Sequence, residues 1–111
     1  MIEKAVYAEL QETAGAEFVA ELVDTFLEEA TGMLAELRSA RADNHADRFR
    51  RAAHSLKSDG NTFGATKLGA LARDLELNGL DADAARDMAA IAALEIEYTR
   101  AAAALKDLRN G

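Results

Sequence analysis

The stretch Arg48-Phe49-Arg50-Arg51-Ala52-Ala53-His54-Ser55-Leu56-Lys57-Ser58-Asp59-Gly60-Asn61-Thr62-Phe63-Gly64 decides the reading of the chain. In a helix, successive residues turn by about 100°. With His54 set at zero, Phe49, Ala52, Leu56, Gly60 and Phe63 fall within about 60° of the opposite direction, and Ala53 lies at the flank. The segment is therefore an amphipathic helix with an apolar face to bury and His54 turned to solvent. Arg50 and Arg51 lie one turn before His54 on its own face. Lys57 and Ser58 lie one turn after, and Asn61 and Ala65 continue the line. Asp59 sits about 140° away and is not expected to act as an acid or base beside the imidazole.

The flanking sequence follows the same period. Ile2, Val6 and Leu10 predict a short helix over residues 2–12, ended by Gly15. Phe18, Leu22, Phe26, Ala30, Met33 and Leu37 predict a long one over residues 16–41. Asp43 or Asn44 is placed to cap the His54 helix. Leu68, Leu71, Ala72 and Leu75 predict a helix over residues 65–77, with Asn78-Gly79 as its stop. Asp81 or Asp83 can cap a last helix over residues 84–108, whose seam is Ile91, Leu94, Tyr98, Ala101, Leu105 and Leu108. Four long helices with short connections predict an all-α fold: an antiparallel up-down four-helix bundle with a short additional N-terminal helix, residues 1–111 forming one domain.

Composition agrees. The 111 residues contain no proline, the strongest helix breaker, and few aromatics to build strands. Half the chain is apolar and 30% is charged, which fits a folded chain rather than a disordered one. Without cysteine, disulfides, thiol catalysis and thiolate metal sites are excluded. No apolar run approaches the length that spans a bilayer, and the N-terminus lacks a signal-peptide core, so a cytoplasmic location is expected. Met1 and the absence of a linker point to a free-standing protein. The net charge of −7 argues against broad binding to nucleic acid or anionic membranes. That charge is uneven: residues 48–73 carry six cations against Asp59 alone.

Exposure does not by itself separate His54 from an ordinary surface histidine, and His45, near a helix start, keeps that reading. The order of residues does separate His54. His54, Leu56, Lys57 and Gly64 reproduce the pattern of histidine-containing phosphotransfer (HPt) domains: a histidine, a hydrophobic residue two later, a lysine three later and a glycine ten later. The resemblance covers nearly the whole chain, and the family fold it implies is the bundle already read from periodicity. It departs at Ser58, where many members carry glycine, and at the less usual Asp59.

The resemblance implies a phosphocarrier of a multistep two-component phosphorelay. His54 would accept a phosphoryl group from an aspartyl phosphate on one receiver domain and pass it to another. Lys57 would neutralise phosphoryl oxygens. Gly64 would keep the helix surface open near the imidazole, and Glu76 lies where members often carry Gln or Glu facing the histidine. Arg50, Arg51, Ser58, Asn61 and Ala65 are candidate docking or site-shaping residues.

A neutral imidazole is a nucleophile near pH 7, and the neighbouring cations favour that uncharged form. No phosphate-binding glycine loop and no carboxylate cluster for Mg²⁺ is evident, so neither ATP binding nor self-phosphorylation is expected. The chain is expected to need no cofactor, with Mg²⁺ held in the partner receiver and no metal of its own. It is expected to work as a monomer with response-regulator receivers and a hybrid histidine kinase, and not as an enzyme. The alternatives are a non-catalytic interaction bundle, a ferritin-like metal bundle (neither histidine has Glu three residues before it) and a nucleic-acid binder using Arg50 and Arg51.

Overall fold

A computed structural model describes residues 2–80 and 83–111, and the described residues are helical with no strand. Five helices follow in order: α1 (Lys4–Ala14), α2 (Ala16–Ala42), α3 (Ala46–Thr62), α4 (Thr66–Asn78) and α5 (Ala84–Asn110). The four longer ones close a ring in which α2 touches α3 and α5, and α4 touches the same two. The short α1 lies across α2 and α3.

The core follows the periodicity, with one change of register. On α3, all the positions read as apolar-facing are buried, Phe49, Ala52, Ala53, Leu56, Gly60 and Phe63 among them. On α2, the buried line is Val19, Val23, Phe26, Ala30, Leu34, Leu37 and Ala40. The expected Phe18 is exposed, Leu22 and Met33 are half-buried, and Val19 and Val23 take their places. The inward line on α2 is thus shifted by one residue at its start, with the β-branched valines buried and the Phe18 ring exposed. Phe26 anchors an aromatic group, its centroid 5.5 Å from Phe63 and 6.0 Å from Tyr98. Each large side chain so buried contributes about 1.5–3 kcal/mol of hydrophobic stabilisation.

Ion pairs run along the contact of α2 with α5. Asp24 receives both Arg109 donors at 2.7 Å, Arg38 grips Glu95, and Arg41 meets Asp87 at 2.8 Å. The first two are exposed or half-exposed and are worth little individually. Asp87 is buried, so its pairing with Arg41 is what makes its charge tolerable there.

One helix cap differs from the sequence reading and another agrees with it. The cap of α3 is His45, whose Nδ1 accepts the Arg48 amide at 3.2 Å, and not Asp43 or Asn44. Asp43 is engaged by the Arg48 guanidinium at 2.8 Å, and Asn44 takes the left-handed turn with φ 54°. His45 is then the first residue with the extended backbone a cap requires. At α5, the Asp83 carboxylate accepts the Ala85 amide at 3.0 Å, while Asp81, the other candidate, lies outside the described residues.

Between α3 and α4, Gly64 turns the chain with φ +84° and its carbonyl accepts the Glu3 amide at 2.7 Å. A Cβ at Gly64 would stand 2.7 Å from the Glu3 carbonyl oxygen. Substituting alanine should therefore destabilise the fold by at least the roughly 1–2 kcal/mol of a left-handed L-residue. Thermal unfolding of Gly64→Ala should show a lowered Tm, with faster amide exchange in α1; an unchanged Tm would refute this account of the turn.

Candidate functional site

The site is built where α3 packs against α4. His54 projects from the middle of α3 with its side chain 59% exposed, while Glu76, two residues before the end of α4, is only 18% exposed. One Glu76 oxygen, Oε2, lies 2.6 Å from His54 Nδ1. The other, Oε1, accepts from Lys57 Nζ at 2.6 Å. A single carboxylate thus spans the histidine and the lysine one turn later on the facing helix.

The protonation pattern follows from these contacts. Hydrogen bonding by Lys57 foremost, opposed by partial desolvation and assisted by His54, holds the Glu76 carboxyl below its ordinary 4.5. Near neutral pH it is a carboxylate, which can only accept. His54 Nδ1 must therefore carry the proton. In the neutral ring this leaves the lone pair on Nε2, the nitrogen not held by Glu76.

The other expected site residues are distributed unevenly. Arg50 and Arg51 are exposed on α3 near its start, but each is turned back on Asp47. Arg50 meets the carboxylate at 3.0 Å and Arg51 the main-chain oxygen at 3.4 Å. Arg48 is gathered into a network with Glu36, Asp43 and Ser39. Two arginines of the cationic window, Arg48 and Arg50, are thus paired by acids from outside it, and the charged group touching the imidazole is an acid. Ser58 and Asn61 are exposed on α3, with the Asn61 side chain lying on α4 at Gly69.

Ala65 and Gly64 are placed differently from the sequence reading. The helix ends at Thr62, so Ala65 does not continue the line of His54. It is fully buried as the residue before α4. Gly64 is buried against Glu3 and Val6 of the N-terminal segment. The glycine requirement there is met by the turn and this close approach. Asp59 lies between α3 and α2, in a cleft with Thr25, Glu29 and Phe63, consistent with its angle away from His54. No cluster of three or more potential metal ligands occurs among the described residues, and no helix among them is long and apolar enough to cross a membrane.

The Hpt domain family model matches residues 21–108, and the chain belongs to that family. Among solved structures it is similar to histidine-containing phosphotransfer protein B (HptB) from Pseudomonas aeruginosa PAO1. The TM-score is 0.87 at 28% identity, covering 98% of this chain and 94% of that one. No curated protein matches the sequence. The five-helix architecture is thus that of an HPt domain, and the chain is a histidine phosphotransfer protein of a phosphorelay, a phosphocarrier rather than an enzyme in the ordinary sense. Proteins of this family work with response-regulator receiver domains and kinases.

The lowered value of Glu76 gives a pH test. A carboxyl depressed by folding stabilises the fold fully above its unfolded value and loses that contribution as pH falls through its folded value. The His54–Glu76–Lys57 contacts should hold at pH 7 and open only as pH falls through the lowered value of Glu76, beneath the ordinary 4.5. Imidazole ¹⁵N shifts should show a protonated Nδ1 and an unprotonated Nε2 in the neutral ring, with Glu76→Ala shifting the tautomer balance. Identical spectra for the variant would show that Glu76 does not orient the ring.

Proposed function

We propose that His54 is the phosphoacceptor and that it receives its phosphoryl group from an aspartyl phosphate of one receiver domain and passes it to another. The observation that carries this is the fixed and exposed imidazole: Nδ1 is held by Glu76 at 2.6 Å while the ring stands out from α3.

The chemistry follows from the tautomer. The Nε2 lone pair attacks phosphorus, the new N–P bond forms, and the P–O bond to the aspartate breaks with the carboxylate as leaving group. The ring becomes positively charged and keeps its Nδ1 proton. Glu76 offsets that charge through the hydrogen bond it already makes, as the carboxylate beside a catalytic histidine does in hydrolase triads. Return of the phosphoryl group to a second receiver runs the same steps in reverse.

Lys57 has three donors, of which Glu76 uses one. The remainder can meet phosphoryl oxygens, so Glu76 holds the ammonium beside the imidazole without consuming it. Phosphoryl transfer depends chiefly on positioning and charge neutralisation. Lys57 supplies part of the neutralisation, and the receiver supplies the rest with its acidic pocket and Mg²⁺. This chain then requires no cofactor. Arg50, Arg51, Ser58 and Asn61, all exposed on α3, belong to the surface the receiver covers; Gly64 and Ala65 support it from beneath by setting the α3–α4 turn.

The whole chain, residues 1–111, acts as one module, working as a cytoplasmic monomer that links a hybrid histidine kinase to response regulators. In the up-down antiparallel bundle, α2 and α5 run opposite ways, which the order of their pairs supports: along α2, Asp24, Arg38 and Arg41 meet Arg109, Glu95 and Asp87, in reverse order along α5.

Incubation with phosphorylated receiver domains tests the reading. His54→Gln should abolish acid-labile labelling with helical circular dichroism unchanged, because the side chain is exposed. Lys57→Ala should slow transfer by about tenfold or more, the equivalent of roughly 1.4 kcal/mol of transition-state stabilisation. Labelling of His54→Gln, or no labelling of the wild-type chain by any receiver of the host, would overturn the assignment.

A further inference from the structure

Gly32 stands in the middle of the 27-residue helix α2, and the packing of the chain does not require a glycine there. A Cβ at Gly32 would meet nothing within 4 Å, and its φ is not positive. Glycine inside a helix is destabilising relative to alanine. Its bare backbone lines a groove of about 480 Å³ along the α2–α3 seam.

The rest of the groove is consistent with an occupant. Ala52 and Ser55 of α3 provide small opposite walls, and Glu28 and Glu29 stand one turn before Gly32 on α2. Arg48, held by Glu36 at 2.6 Å, closes one end. Beyond Glu29 the seam continues into the cleft that holds Asp59. The Asp59 carboxyl is pushed up by burial first and by the charge of Glu29 second. An arriving cation would relieve that repulsion. Ser55 adjoins His54 in the chain, and Arg51, one turn before it, also lines the groove. A domain that covers the free face of the imidazole therefore reaches the groove as well.

We propose that Gly32 is a specificity-determining residue for the receiver domain. One receiver helix seats against the bare backbone at Gly32, with a lysine or arginine reaching Glu28 and Glu29. This rests on the phosphoacceptor reading of His54 and names how its partner docks. The cationic helix reads the groove while the receiver's acidic pocket delivers the phosphoryl group to Nε2. Small phosphodonors need no such docking.

The test separates the two. Phosphoramidate (the ammonia–phosphoryl compound) is used as a small donor: its P–N bond breaks, the Nε2–P bond forms and ammonia leaves with the proton balance made by solvent. Gly32→Leu should label on His54 from phosphoramidate at the wild-type rate. Its transfer from a phosphorylated receiver should fall at least tenfold in efficiency, through a higher half-saturating receiver concentration and not a lower limiting rate. Gly32→Ala should melt higher than wild type by about 3–5 °C while losing several-fold in receiver efficiency, which guards against a folding explanation. Reversal of charge in Glu28→Lys/Glu29→Lys should give the same loss and weaken its dependence on salt. Wild-type efficiency in Gly32→Leu, or a loss confined to the limiting rate, would overturn the docking role and leave the His54 assignment standing. Failure of the wild-type chain to exchange with any receiver while phosphoramidate still labels it would overturn both.

Discussion

The carboxylate of Glu76 is the constraint on which the site depends. It reaches from α4 to two residues one helical turn apart on α3, and each oxygen serves one of them. A point of this kind works only if α3 and α4 keep a fixed register. The same two helices are held there by their buried apolar faces, Phe49, Leu56, Leu68 and Leu75 above all. Packing energy is thus converted into orientation of an imidazole. Removing the register would leave His54, Lys57 and Glu76 as three ordinary polar side chains.

The division of labour between core and surface explains why such a small chain can carry reactive chemistry. The ring of four helices encloses the apolar side chains, and the outward side of α3 is left free of packing duties. Most of the cations around His54 are engaged at their own end of the molecule, with Glu36, Asp43 and Asp47 absorbing them. What remains beside the imidazole is a lysine and an acid, a pair whose net charge is near zero. In the proposed reaction, a phosphoryl group arriving at Nε2 meets a local donor in Lys57 and a proton-orienting acceptor in Glu76, not a broad positive field. The larger share of charge neutralisation then falls to the partner, which suits a carrier that must release the group as readily as it takes it.

Much of this was legible from spacing. The five helices, their limits within a few residues and the α3 core positions follow from apolar periodicity, because a long helix must bury one stripe and expose the other. The solvent-facing angle of His54 follows from the same arithmetic, and the histidine–lysine–glycine order carried the family. Periodicity was weaker where two neighbouring stripes are both apolar: on α2, Phe18 and Leu22 compete with Val19 and Val23, and only the packing of the folded chain settles which line goes inward. The cap of α3 was unreadable for a related reason. Asp43 has the better intrinsic capping chemistry, but Arg48 claims its carboxylate and the turn geometry passes the role to His45.

The sequence by itself determined the helical class, the exposure of His54, the proximity of Lys57 to it and the family, since all of these are properties of one helix or of residue order. The resemblance pointed to Glu76 as facing the histidine, but only the tertiary structure shows its carboxylate bridging His54 and Lys57. Glu76 is 22 residues away from His54 along the chain, and no local rule joins them until α4 folds back on α3. The tertiary structure likewise decided that Gly64 serves a turn pressed against Glu3, that Ala65 is buried, and that Gly32 lines a groove between α2 and α3. Each of these depends on where a second segment comes to rest, and that position is set by the packing of whole helices rather than by the residues at the point of contact.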